Sequence, residues 1–90
     1  MGEVAIALRR KLEAAFAPDE LDIADESHRH AGHSGAREGG ESHFNVRIRS
    51  KAFLGLSRVE RQRKIHHVLA SDLAGPVHAL SVNALAPGEP

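Results

Sequence analysis

Residues 42–49 read SHFNVRIR, from Ser42 to Arg49. Phe44, Val46 and Ile48 share one parity, and His43, Asn45, Arg47 and Arg49 share the other. A period of two with apolar residues on one side marks a strand that buries one face and wets the other. The chain organises outward from this octet. Upstream, Leu21 to Asp25 (LDIAD) alternates in the same way and reads as a short strand with Leu21 and Ile23 inward. The two strands form an antiparallel hairpin with a long loop. Before them, Val4, Ala5, Leu8, Leu12, Ala15 and Phe16 recur at helical spacing, so an amphipathic helix is expected from about Glu3 to Phe16. Pro18 ends it, because proline disfavours helical geometry in the residue before it.

Downstream, Ser50 to Gly55 (SKAFLG) reads as a single helical turn stopped by glycine. Ser57-Arg58-Val59-Glu60 then matches a capping box, with Ser57 as N-cap and Glu60 three residues on. One helix is expected from there to Gly75-Pro76, with Val59, Ile65, Val68, Leu69 and Leu73 inward. Val77 to Leu85 is the last strand, with Leu80, Val82 and Ala84 on one face and His78 of the same parity. The order is helix, strand, strand, short turn, helix, strand. The economical arrangement is an α+β domain with one three-stranded sheet and helices on one face.

Ninety residues make one small domain, with three phenylalanines as its only aromatics. Acidic and basic residues balance at twelve each, which leaves no global field to attract nucleic acid. The cations Arg47, Arg49, Arg58, Arg61 and Lys64 nevertheless gather in the centre of the chain. Those at the start of the second helix oppose its macrodipole, a cost that either marks an anionic partner or is offset by Glu60 and the cap. There is no cysteine, so disulfides, thiol catalysis and an all-thiolate metal site are excluded for this chain alone. No apolar run approaches a membrane span and no signal peptide opens the sequence, so no membrane contact and a cytoplasmic location are expected. Residues 1–85 form the expected domain, and 86–90 (APGEP) read as a disordered tail.

Between the first two strands lies DESHRHAGHSGAREGGESHF (Asp25 to Phe44), which holds four of the seven histidines: His28, His30, His33 and His43. Its composition also fits a solvated loop with incidental histidines, so the flanks decide. If the middle and last strands are neighbours, the helix between them makes them parallel, and parallel neighbours begin at the same end of the sheet. The loop feeds the start of the middle strand and His78 sits at the start of the last. One fixed imidazole and one or more from the loop are therefore expected at one rim. Nitrogen donors suit Zn, Cu, Fe and Ni. The remaining ligands come from Asp25, Glu26 or a third histidine, or from a partner's thiolate. No nucleophile is certified by a histidine–carboxylate relay, so the chain reads as a binding module rather than an enzyme.

The combination Asp25-Glu26-Ser27-His28-Arg29-His30, Ser42-His43-Phe44, Phe53-x-Gly55-x-Ser57 and Val77-His78-Ala79-Leu80 resembles the BolA family, over the chain from the first helix to the last strand. The resemblance implies a fold like the class II KH domain, with the element order given above. It also implies pairing with a monothiol glutaredoxin through a shared, bridging 2Fe–2S cluster, in iron–sulfur cluster assembly or transfer or in iron homeostasis. The glutaredoxin cysteine and a glutathione thiol would hold one side of the cluster. His78 and the loop residue His30 would hold the other, with His33 as the alternative loop ligand. No cofactor is expected in the isolated chain, whose free form would be a monomer or weak homodimer. The alternative reading is a nucleic-acid-binding transcriptional regulator that contacts DNA through Arg47, Arg49, Arg58, Arg61 and Lys64. Gly32-His33-Ser34-Gly35 has the letters of a KH GxxG loop but lies between strands, whereas Gly55-Leu56-Ser57-Arg58, where such a loop belongs, does not fit. The exposed strand face also lacks a stacking aromatic.

Overall fold

The alternating octet forms the central strand of the sheet. The structure is a computed structural model that describes residues 2–26 and 42–90. Its elements are α1 (Glu3–Phe16), β1 (Glu20–Asp25), β2 (His43–Arg49), a 3-10 turn (Lys51–Phe53), α2 (Arg58–Val68), α3 (Ala70–Ala74) and β3 (Ala79–Leu85). The strand order is β1-β2-β3. β1 pairs antiparallel with β2, from Glu20 opposite Arg49 to Asp25 opposite Phe44. β3 pairs parallel with β2, from His43 opposite Ala79 to Arg49 opposite Leu85. The mixed sheet and the α+β class are as the sequence predicts.

One face of the sheet carries the core. Phe44, Val46 and Ile48 are buried, and Leu21, Ile23, Leu80, Val82 and Ala84 pack partly buried around them. α1 lays Ala5, Leu8, Leu12 and Phe16 on that face, and Ile65 and Leu69 cover it from the second helical segment. Phe53, brought in by the 3-10 turn, is completely buried and meets the Phe16 ring at a centroid distance of 5.0 Å. Ser50 holds this corner. Its buried hydroxyl donates to the Phe16 carbonyl at 2.6 Å and accepts from the Ala52 amide at 3.0 Å. α1 ends at Phe16, two residues before Pro18, with Ala17 in the left-handed region at φ 44° and its N–H donating to the Glu13 carbonyl.

The capping box is formed. The Ser57 N–H donates to Glu60 Oε1 at 2.9 Å and the Glu60 N–H donates to Ser57 Oγ at 3.1 Å. The Ser57 amide, and next its hydroxyl, hold the Glu60 carboxyl below its ordinary value. The helix that starts there differs from the expectation in three ways. It breaks at Leu69 into α2 and α3, where φ −100° and ψ 16° leave helical geometry. Asp72 in α3 is nearly buried and paired with Lys11 of α1 at 2.6 Å, which ties α3 to α1. Val59, expected inward, is 56% exposed, because the first turn of α2 extends beyond the apolar face. Arg61 and Gln62 turn inward instead, donating to the carbonyls of Ala84 (3.1 Å) and Val82 (2.9 Å) along the outer edge of β3.

The segment after β3 is also not the disordered tail expected for residues 86–90. Ala86 is buried. The Glu89 carboxylate accepts from Arg61 Nη1 and Nη2, at 2.5 and 3.0 Å, and from the Ala86 N–H at 2.7 Å. Arg49 donates to the carbonyls of Ala86 and Glu89. The arginine bond, followed by the Ala86 amide, lowers the Glu89 carboxyl to about 2 from its ordinary value of 4.5. A folded value below the unfolded one means that the tie is at full strength above the unfolded value and is lost as pH falls through the folded one. The Ala86 amide signal in proton–nitrogen NMR spectra is therefore expected to move toward its unfolded position as pH falls from about 4.5 to about 2. Glu89→Gln should remove that titration, and an unchanged Ala86 titration in the variant would show that another carboxyl controls the segment.

Candidate functional site

Because β2 and β3 run parallel, both begin at the same rim. His43 opens β2 and His78 stands immediately before β3, so the last strand begins two residues later than the sequence predicts. The Ser42 carbonyl joins the two starts by accepting the His78 N–H at 2.8 Å and the Ala79 N–H at 3.2 Å. The imidazole rings of His43 and His78 come to a centroid distance of 6.3 Å with only 14° between their planes. Ser42 is completely buried and its Oγ lies 2.9 Å from His43 Nδ1, so the same residue fixes one ring and the backbone of the other. His43 is half-buried and His78 exposed.

The long connection is anchored here at both ends. The Glu26 N–H donates to the His43 carbonyl at 2.8 Å, and Ser42 precedes β2 directly. Asn45 Nδ2 donates to Glu26 Oε1 at 3.3 Å. A shallow cleft of about 280 Å³ lies among Glu26, His43, Asn45, Ala79, Leu80 and Ser81. Residues 27–41 lie outside the described residues, and with them His28, the expected ligand His30, its alternative His33 and the Gly32–Gly35 tetrad. Among the described residues, no group of three or more histidines or carboxylates is placed to hold a metal ion. The described rim therefore contributes two imidazoles.

Of these two rings, sequence reasoning singled out His78 and passed over His43. Strand parity put His43 on the wet face and His78 on the buried one. Parity does not reach His78, because the chain turns before β3 starts and leaves that ring exposed beside His43. The signal that finds His43 is the register: parallel pairing sets the first residue of β2 opposite Ala79.

The basic residues divide differently. Arg49 and Arg61 are occupied in holding the C-terminal segment, and their side chains are 15% and 12% exposed. Both guanidiniums act as ties within the domain. Arg47 is exposed with Nε 3.9 Å from Glu20, and Arg58 and Lys64 are exposed on α2.

Among the described residues, a mixed three-stranded sheet with helices on one face, and a histidine pair at the rim where two parallel strands begin, define a small α+β domain. The family model for BolA-like proteins matches residues 12–89, and the chain belongs to that family. It is 45% identical to BolA-like protein 1 of Pongo abelii over 89 residues, covering 99% of this chain and 62% of the relative. It is 43% identical over 93 residues to SufE-like protein 1, chloroplastic/mitochondrial, of Arabidopsis thaliana, covering 99% of this chain and 25% of that protein. The chain thus spans less than two thirds of the length of either relative. Among solved structures, the BolA domain of SufE1 from Arabidopsis thaliana matches with a TM-score of 0.89 at 43% identity, covering 100% of this chain and 99% of that one. BolA1 from Arabidopsis thaliana matches with a TM-score of 0.88 at 41% identity, covering 100% and 98%. None of these names states an enzymatic activity. The organelle names of the plant relative mean that family membership does not specify the cytoplasm. Among the described residues, no helix is long and apolar enough to cross a membrane.

Proposed function

We infer that this BolA-like domain is a non-enzymatic module that pairs with a monothiol glutaredoxin and shares a bridging 2Fe–2S cluster with it, in iron–sulfur cluster assembly or transfer or in iron homeostasis. The observation that carries the reading is the exposed His78 imidazole at the rim where the long histidine-bearing connection leaves and rejoins the sheet. The donor set fits such a group. Imidazole suits iron, and this chain offers nitrogen donors but no thiolate; in this reading the sulfur ligands would be the glutaredoxin cysteine and glutathione. His78 would hold the cluster with His30, or with His33 as the alternative. When bound, the cluster supplies a transferable iron–sulfide unit whose potential is raised by imidazole in place of thiolate. This chain's part is to present His78 from a fixed strand start and to hold both ends of the ligand-bearing connection beside it. The relationship to a protein named SufE-like also supports an iron–sulfur context.

The test is anaerobic reconstitution of the chain with a monothiol glutaredoxin, glutathione, ferrous iron and sulfide. A heterodimer that co-elutes with cluster absorption, and whose reduced form shows nitrogen hyperfine coupling in pulsed electron paramagnetic resonance, is the expected result. A cluster that stays on glutaredoxin alone, or one without nitrogen coupling, would overturn the reading.

A further inference from the structure

We propose that the groove between α1 and α2 is a docking site for an acidic segment of a partner protein, one that presents a single bulky apolar side chain between carboxylates. The groove has a volume of about 360 Å³. Ala15 and Phe16 line it from the last turn of α1, and Arg63, Lys64, His67 and Val68 line it from α2. It is separate from the histidine rim. β2 starts at that rim and ends at Arg49, and the adjoining Ser50 hydroxyl bonds the Phe16 carbonyl, so the α1 wall stands at the other end of the strand. The groove also lies on the opposite side of α2 from Arg61 and Gln62, which turn to β3.

Charge and lining together select the occupant. Arg63 and His67 are four residues apart and Lys64 and His67 three, so the three side chains share one stripe of α2, and all are exposed. Among the described residues, none of the three is held in an ion pair. Glu60, one turn upstream, is the carboxylate nearest to them on α2, and it is committed to the Ser57 cap. On the α1 side Glu13 is paired with Arg9, and the helix end adds roughly half a negative charge, less than the full charges of Arg63 and Lys64 together. Ala15, Phe16 and Val68 give the groove an apolar lining, which a bare anion does not use and a bulky side chain does. Pockets for small ligands run from about 300 to 1,000 Å³, so this one suits a single side chain with its flanking backbone. Basic clusters that read acidic motifs are a recurring mode of peptide recognition. A nucleic acid fits less well, because Phe16 is 8% exposed, its ring packs against Phe53, and it leaves no open face for a base to stack on.

The experiment uses the full chain without iron, sulfide or glutaredoxin, so its failure is distinct from failure of the cluster reading. The probe is the acetylated, amidated pentapeptide Asp-Glu-Phe-Glu-Asp, titrated into isotope-labelled protein and followed by proton–nitrogen NMR. Saturable shifts are expected at Phe16, Arg63, Lys64, His67 and Val68. The double variant Arg63→Gln/Lys64→Gln should bind at least about tenfold more weakly, with unchanged far-ultraviolet circular dichroism because both side chains are exposed. Alanine in place of the peptide's phenylalanine should also weaken binding. Arg10→Gln, which removes an exposed charge outside the groove, should bind the peptide as the native chain does. The absence of saturable shifts, shifts centred on other residues, or equal weakening by Arg10→Gln would overturn the proposal. So would a single-stranded oligothymidylate that binds these residues more tightly than the peptide does.

Discussion

A His78→Ala chain, reconstituted with monothiol glutaredoxin, glutathione, ferrous iron and sulfide, is expected to lose most of the shared cluster and the visible circular dichroism of the mixed complex. His78 is exposed, and its backbone N–H is tied to the Ser42 carbonyl at 2.8 Å. Removing its imidazole therefore leaves the strand start in place and deletes only a donor. Loss of an outer hydrogen-bond partner of a metal ligand already weakens metal sites by about 10–100-fold, so loss of a ligand itself should lower cluster content by at least about tenfold. Far-ultraviolet circular dichroism should not change, which separates a lost ligand from a lost fold. An unchanged visible spectrum would remove His78 from the ligand set.

Phe53→Ala is expected to have the largest effect on stability, at about 3–5 kcal/mol. Phe53 is completely buried, lies with its ring centroid 5.0 Å from that of Phe16 at a tilt of 40°, and fills the corner between the end of α1 and the start of the second helical segment. The site lies in the core cluster with Leu12, Phe16 and Ile65, and the adjoining corner is fixed by the Ser50–Phe16 hydrogen bond. Domains of this size are stable by about 5–15 kcal/mol, so the variant would lose a large share of its margin. Urea unfolding followed by circular dichroism measures it. A loss below about 1 kcal/mol would mean that the corner repacks.

The fold was legible where local pattern and tertiary environment agree. The parity of β2, the spacing of α1, Pro18 and the Ser57–Glu60 cap each report a constraint within a few residues, and each is present in the structure. Parallel pairing of β2 with β3 followed from chain length between them, and with it the meeting of the two strand starts. The break at Leu69 was not legible, because no glycine or proline marks it. It accompanies an ion pair between Lys11 and Asp72, sixty-one residues apart. The anchored C-terminal segment was hidden for the same reason: a charged Arg61 reads as solvent-facing, yet its guanidinium turns inward to the Ala84 carbonyl and Glu89. At the rim, His78 was found by topology and His43 was missed by parity. His30 and His33 lie outside the described residues.

The flank of the sheet beyond β3 has one more effect. Its outward-pointing acceptors at Val82 and Ala84 are already spent on Gln62 and Arg61. An unpaired rim invites foreign strands, and covering it by side chains of the same molecule removes the template. Pairing of a foreign strand along that flank would have to displace these two side chains first.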